Sequence, residues 1–197
     1  MNKLLSFSLL FILLSSGSTV AQTTKKYDLK SGVITFETNA TMMGTDVKMK
    51  YLIYFDDYVM KECKETLNDD GTVKEWFLSD GKDLILVLFE KKEAYKRGKA
   101  YRGTEMPFVW NQVSEKDNKK AGKYKKVPNV TILGKNCEAF EMNDGGDKTI
   151  FAGWNHIVLS MEINSKGMKS TQKATKIEEN VAVPADKFSI PSGYKVQ

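Results

Sequence analysis

Alternation with a period of two dominates this chain. In Val47-Lys48-Met49-Lys50-Tyr51-Leu52-Ile53-Tyr54-Phe55 every odd position is apolar or aromatic, and the first even positions are lysines. That is a strand with one face on a core and the other partly wet. Ile157, Leu159, Met161 and Ile163 repeat the pattern, with Ser160 and Glu162 pointing the other way. Shorter runs predict strands over residues 33–38, 59–66, 73–78, 93–96, 130–133, 138–142 and 148–152. Residues 84–89 (Leu-Ile-Leu-Val-Leu-Phe) are apolar at every position, which predicts the most deeply buried strand.

Polar, glycine-bearing turns separate these runs. Asn68-Asp69-Asp70-Gly71, Ser79-Asp80-Gly81-Lys82, Asn143-Asp144-Gly145-Gly146 and Asn164-Ser165-Lys166-Gly167 all carry hairpin chemistry. Short strands joined by hairpins give an antiparallel meander rather than alternating βαβ units. One helix is predicted. Met106, Val109, Trp110 and Val113 fall at i, i+3, i+4 and i+7, and Pro107 sits near the start, where its missing N–H costs little. Residues 116–126 form a polar basic stretch, read as a loop between two strand-rich halves.

The first 21 residues read as a secretory leader. Lys3 lies in a short basic head, residues 4–14 are an apolar run, and a small-residue tail ends at Ala21, which suits cleavage before Gln22. The run is too short to span about 30 Å of hydrocarbon. The expectation is therefore a leader over 1–21 and one β-rich domain over 22–197, exported to a periplasm or secreted, and not integral to a membrane. The formal charge of +5 falls by one when Lys3 is removed. Charges of both signs are mixed along the chain, which favours solubility and gives no footprint for nucleic acid.

Two cysteines, Cys63 and Cys137, suit an oxidising compartment. A disulfide between them would restrict the unfolded chain by about 4–5 kcal/mol in the entropy account. Two buried free thiols serve equally well, and spacing does not choose between them. Two cysteines and one distant histidine lack the paired spacing of a metal site, so neither metal nor cofactor is expected.

Catalysis finds no constellation in the sequence. Nucleophilic chemistry needs a base held against Ser or Cys. His156 is the only histidine, set between Asn155 and Ile157, and no Gly-x-Ser-x-Gly elbow occurs. The paired acids Asp56-Asp57, Asp69-Asp70 and Glu178-Glu179 are sequence neighbours. On a strand that sends them to opposite faces, and in a turn it leaves them solvated. The unusual content is instead apolar. Met42, Met43, Met49, Met60, Met106, Met142, Met161 and Met168 accompany many aromatics. Thioethers repack around irregular ligands and can line an adaptable cavity, but they also fill sheet cores, and core filling is the preferred reading here.

The stretch Ile132-Leu133-Gly134-Lys135-Asn136-Cys137-Glu138-Ala139-Phe140 carries a "Gly-x-x-Cys-x-x-aromatic" pattern. Trp154 follows the next hairpin, and the chain closes on Phe188-Ser189-Ile190-Pro191-Ser192-Gly193-Tyr194. Over residues 130–197 these features resemble exported bacterial domains related to the lipoprotein-carrier (LolA-like) and LppX-like superfamily. The resemblance implies a mostly β fold: a strongly curved antiparallel meander, an unclosed barrel, with one or two short helices covering its concave face. It also implies a non-catalytic protein that binds or carries a hydrophobic molecule or a lipidated partner. The alternative is a structural or protein-interaction module of the cell envelope with a filled core and an envelope protein as partner. The candidate lining residues are Met49, Tyr51, Ile53 and Phe55 on one strand, Leu84, Leu86 and Leu88 on another, and Met106 and Trp110 on a lid. Pro184 and Pro191 should make the tail leave the sheet as an edge segment, with Phe188 and Tyr194 pinning it back.

Overall fold

The computed structural model describes residues 25–100 and 124–197. Twelve strands form one sheet: β1 (Gly32–Met42), β2 (Thr45–Asp56), β3 (Lys61–Leu67), β4 (Val73–Ser79), β5 (Asp83–Leu88), β6 (Glu93–Lys99), β7 (Tyr124–Ile132), β8 (Lys135–Asp144), β9 (Asp147–Trp154), β10 (Ile157–Ser165), β11 (Met168–Glu179) and β12 (Lys195–Val196). Their order is β12-β6-β5-β4-β3-β2-β1-β11-β10-β9-β8-β7. Pairing is antiparallel except between β12 and β6, and the sheet is not closed into a barrel. The mostly β meander expected from the sequence is therefore the fold. The short helical elements among the described residues are 3-10 turns at Asp57–Val59 and Ala185–Phe188. The leader, the helix bearing Met106 and Trp110, and most of the basic stretch lie outside the described residues.

Three elements differ from expectation. Val59, expected to open a strand, ends the first 3-10 turn. Residues 124–126 of the basic stretch are not loop but the start of edge strand β7. β11, which no alternation marked, pairs with β1 along its whole length and with β10 at its start. Its sequence, Met-Lys-Ser-Thr-Gln-Lys-Ala-Thr-Lys-Ile-Glu-Glu, is polar on both faces for most of its length. Its place in the sheet comes from its partners rather than from its own hydropathy.

A strap formed by residues 25–31 bends the sheet. The Lys26 amide donates to the Tyr58 carbonyl and the Asp28 amide to the Asn155 carbonyl, each at 3.3 Å. Two residues reach about 7 Å, so these carbonyls lie within about 14 Å of each other. In a flat sheet the β2–β3 and β9–β10 turns would be four strand spacings apart, about 19 Å. The sheet therefore curves towards the strap, whose Tyr27 ring meets Phe55 edge-on at 5.2 Å. The face carrying Phe55 is the concave one.

The sheet buries both faces, but on different strands. On the concave side, Tyr27 and Leu29 of the strap pack with Ile34, Phe36, Tyr51, Ile53, Phe55, Ile157 and Leu159 in one cluster, which Cys137 joins. On the convex side of β3–β6 a second cluster holds Cys63, Trp76, Leu78, Ile85, Val87 and Ala94. The C-terminal tail covers it with Phe188, Val183, Ile190 and Tyr194. The tail thus behaves as its prolines and aromatics suggested, leaving the sheet and returning as the short edge strand β12. Cys63 and Cys137 are buried free thiols in separate clusters.

Candidate ligand-binding face

Beyond the strap, the far ends of β1, β2, β10 and β11 present a concave surface free of charge. Direct cross-strand partners form three rows there: Thr45–Met42–Met168–Ser165, Val47–Ala40–Ser170–Ile163, and Met49–Thr38–Gln172–Met161. Directly opposed residues share a face. This one continues from Phe36 and Tyr51, whose rings stack at 5.0 Å. The intervening positions on the convex face carry Glu37, Asp46, Lys48, Lys50, Glu162, Lys169 and Lys173. Met42, Val47 and Met49 are exposed, whereas Met161, Ile163 and Met168 are half-buried.

The described methionines therefore do not fill the core. Among the described residues Met42, Met43, Met49 and Met60 are exposed and Met142, Met161 and Met168 half-buried. The preferred sequence reading, core filling, is corrected here for these methionines, whereas the aromatics Phe36, Tyr51, Phe55 and Trp76 do fill the core. Bulky β-branched and aromatic side chains occupy the packed centre, and flexible thioethers rim the open end. Met43 forms the β1–β2 turn with Gly44, has φ of 50° and is 96% exposed. Its amide donates to the Gly167 carbonyl at 3.0 Å, tying this turn to the β10–β11 turn.

The same face of the sheet continues onto β3–β6. The register gives one row across six strands: Ile34, Ile53, Lys64, Phe77, Leu86, Tyr95. Leu84 and Leu88 flank Leu86 on the same face. Phe77, Leu84, Leu86, Leu88 and Tyr95 are all half-buried. β5 is thus not buried on both sides, as its unbroken apolar run predicted. Ile85 and Val87 are covered by the tail side, while its three leucines stand on the concave side. The Lys64 ammonium lies 4.2 Å from the centre of the Tyr51 ring. The Tyr95 hydroxyl donates to Glu93 at 2.5 Å, which raises its pKa together with partial desolvation.

Seven of the nine residues proposed from sequence share the concave face. They divide by burial. Tyr51, Ile53 and Phe55 are fully buried in the packed cluster, whereas Met49 and the three leucines have accessible surface. Met106 and Trp110 lie outside the described residues. Sequence reasoning missed Phe77, Tyr95, Lys64, Ile163, and the grouping of Met42, Met161 and Met168. Only the register brings these together, although a period-two reading of residues 73–78 does put Phe77 opposite Trp76.

Other polar groups serve structure. His156 Nδ1 lies 3.2 Å from Asp28 Oδ2, joining the strap to the β9–β10 turn. A cleft of about 400 Å³ occupies the notch where β2 outruns β3. Met49, Thr38 and Leu67 line it, but so do Glu37, Lys48, Lys50, Asp69 and Asp70, and this mixed charge suits an apolar guest poorly. No group of three His, Cys, Asp or Glu side chains among the described residues could hold a metal.

No family model matches the chain, and neither does any curated protein. Solved structures do match. An uncharacterized conserved protein from Thermus thermophilus is similar over 88% of this chain and 93% of its own, at 9% identity and a TM-score of 0.55. The two share a fold. Looser likenesses extend to a LolA superfamily protein from Nitrosomonas europaea, over 84% of this chain and 92% of its own, at 10% identity and a TM-score of 0.40. The Mycobacterium tuberculosis lipoprotein LppX is similar over 80% of this chain and 91% of its own, at 11% identity and a TM-score of 0.38.

Proposed function

We propose that this protein is an exported, non-catalytic module that binds or carries a hydrophobic molecule, or the apolar part of a lipidated partner, on its concave face. The observation that carries this reading is the accessible apolar surface on that face. It comprises the leucines of β5 with Phe77 and Tyr95, and the uncharged, methionine-rich rows at the far end. Leaving such surface in water forgoes about 25 cal/mol for each Å². A guest that covers it recovers that free energy, and thioethers adapt to irregular guests. Export rests on the leader read in residues 1–21.

Binding of a neutral fluorescent probe, N-phenyl-1-naphthylamine, tests this function. The wild type should bind it, and Leu86→Glu and Met161→Glu should each weaken binding by about tenfold or more, since each places a charge on apolar surface. Circular dichroism should be unchanged, because both positions are half-buried. A wild type that takes up no probe, and that shows no bound mass lost on denaturation in native mass spectrometry, would overturn the proposal. The packed cluster around Tyr51, Ile53 and Phe55 favours a second reading, a structural or interaction module of the cell envelope. That module would give the clean mass and no probe binding.

A further inference from the structure

We propose that the cleft where β2 outruns β3 binds a zwitterion, an ammonium a few bonds from a phosphate or carboxylate, as the head of an amphiphile whose chain lies on the concave face. The place of the chain rests on the binding function proposed above, and the cleft adds the class of head.

The cleft encloses about 400 Å³, a volume in the range of small-molecule sites. Its two walls differ in charge. β1 and β2 supply Lys48, Lys50 and Glu37, whereas the β3–β4 turn supplies Asp69 and Asp70. The charges do not close on one another, since Lys48, Lys50, Glu37 and Asp69 form no ion pair with any described residue. Asp46, the next acid along β2, lies outside the lining and accepts from the Thr41 hydroxyl at 2.6 Å.

The turn wall is fixed by its own hydrogen bonds. Asp70 accepts from the Thr72 amide and hydroxyl at 2.9 and 2.6 Å, and the Gly71 amide donates to the Asn68 carbonyl at 2.9 Å. Asp69 is thereby held at the cleft with its side chain exposed. On the opposite wall, pairing with β3 starts at Lys50, opposite Leu67, so residues 45–49 of β2 have a free edge there. The N–H and C=O groups of such an edge add polar partners. A lone anion would be drawn to the lysines and repelled by the turn, and a lone cation the reverse. A molecule carrying both signs satisfies both walls.

Met49 and Thr38 line the cleft and also belong to the concave row Met49–Thr38–Gln172–Met161. A chain attached to the head therefore passes over Met49 onto uncharged surface.

Four molecules test the assignment: oleoyl lysophosphatidylethanolamine, oleoyl lysophosphatidate, monoolein, and glycerophosphoethanolamine, which is the head without a chain. The wild type should bind the zwitterionic lipid about fivefold more tightly than either other lipid, the scale of an exposed charge pair. Lys48→Gln with Lys50→Gln should reduce both phospholipids to the affinity of monoolein. Asp69→Asn should reduce the zwitterion to the affinity of lysophosphatidate, and monoolein should bind all three proteins alike. Binding of glycerophosphoethanolamine would support the cleft and make a free zwitterion its ligand, while binding of the lipid alone would support a lipid head. If the wild type binds the three lipids equally, or both variants keep its preference, the cleft assignment is overturned and apolar binding stands. If only glycerophosphoethanolamine binds, the cleft stands and the apolar function fails. If none of the four binds, both fail.

Discussion

Glu62 and Glu65 stand three residues apart on β3, face opposite sides of the sheet, and each holds a lysine from a different end of the chain. On the concave side Lys26 Nζ reaches Glu62 Oε2 at 3.1 Å, with the two side chains 3% and 0% exposed. On the convex side Lys187 Nζ donates to Glu65 Oε2 at 2.5 Å, between the rings of Tyr54 and Trp76 at 4.5 and 4.9 Å. Glu65 also accepts from Trp76 Nε1 at 2.7 Å and from the Tyr54 hydroxyl at 3.1 Å. β3 is where burial changes from one face to the other, so both its faces are covered. Each terminal segment is fixed there by one buried ion pair.

Breaking the concave pair should destabilise the strap strongly. Lys26→Met leaves the Glu62 carboxylate buried without its ammonium, a loss of about 3–5 kcal/mol. The double variant Lys26→Met with Glu62→Leu removes both charges and should recover most of that loss. Urea unfolding of the two singles and the double measures the coupling. Additive losses would show that the pair does not hold the strap.

The convex pair should govern the tail alone. Lys187→Ala removes the cation from the Tyr54–Trp76 cage and leaves Glu65 with two neutral donors. Limited proteolysis should then cut within residues 183–197 at least several-fold faster, while the concave cluster keeps its hydrogen-exchange protection. Equal cutting rates in wild type and variant would assign the tail's order to Phe188 and Tyr194 instead.

Stability should decline on the alkaline side. Burial, with Glu65 nearby, raises the Cys63 thiol and the Tyr54 hydroxyl above their ordinary values of 9.0 and 10.0. Groups raised in the folded state bind their protons more tightly there, so their contribution is complete below the unfolded value and lost as pH rises past it. Unfolding free energy should therefore fall from about pH 9 upward, and Tyr54→Phe should flatten the part of that fall above about pH 10. An unchanged slope in Tyr54→Phe would place the alkaline sensitivity elsewhere.

Both thiols should resist modification in the native protein. Cys63 and Cys137 are fully buried in different clusters, and a thiol must ionise to react. Ellman's reagent should detect about two thiols per chain in guanidinium and almost none without it. A protein two hydrogens lighter, with no thiol in guanidinium, would show a disulfide.

Much of the fold was legible because alternation and turn chemistry agree, as in residues 47–55 and the Asn68–Gly71 turn. β11 was not. Ser170, Gln172 and Lys173 look like loop residues until β1 and β10 are in place on either side. β3 overlaps the strand expected over residues 59–66, but its double burial was not legible: Glu62, Cys63, Glu65 and Thr66 are all buried, and no period-two pattern announces that distant segments cover both faces. The candidate face was half visible. One strand's alternation puts Met49 with Tyr51 and Ile53, but setting Lys64 between Ile53 and Phe77 takes the register of three strands.

The methionines offer a map of where the ligand sits. Oxidation to the sulfoxide turns an apolar side chain polar and follows exposure. Met43 on the turn, Met60 near the strap end and Met49 on the concave face are all exposed, so dilute peroxide should modify all three in the free protein. A guest on the concave face would cover Met49 and Met161 but neither Met43, which projects from the turn, nor Met60, at the opposite end of the strands. Peptide mass spectrometry after a timed exposure, with and without oleate, should therefore show protection at Met49 and Met161 and unchanged oxidation at Met43 and Met60. Protection confined to Met161 would place the guest deeper along β10. Equal oxidation at all four sites with oleate bound would remove the methionine rows from the binding surface and leave the leucine face of β5 to carry it.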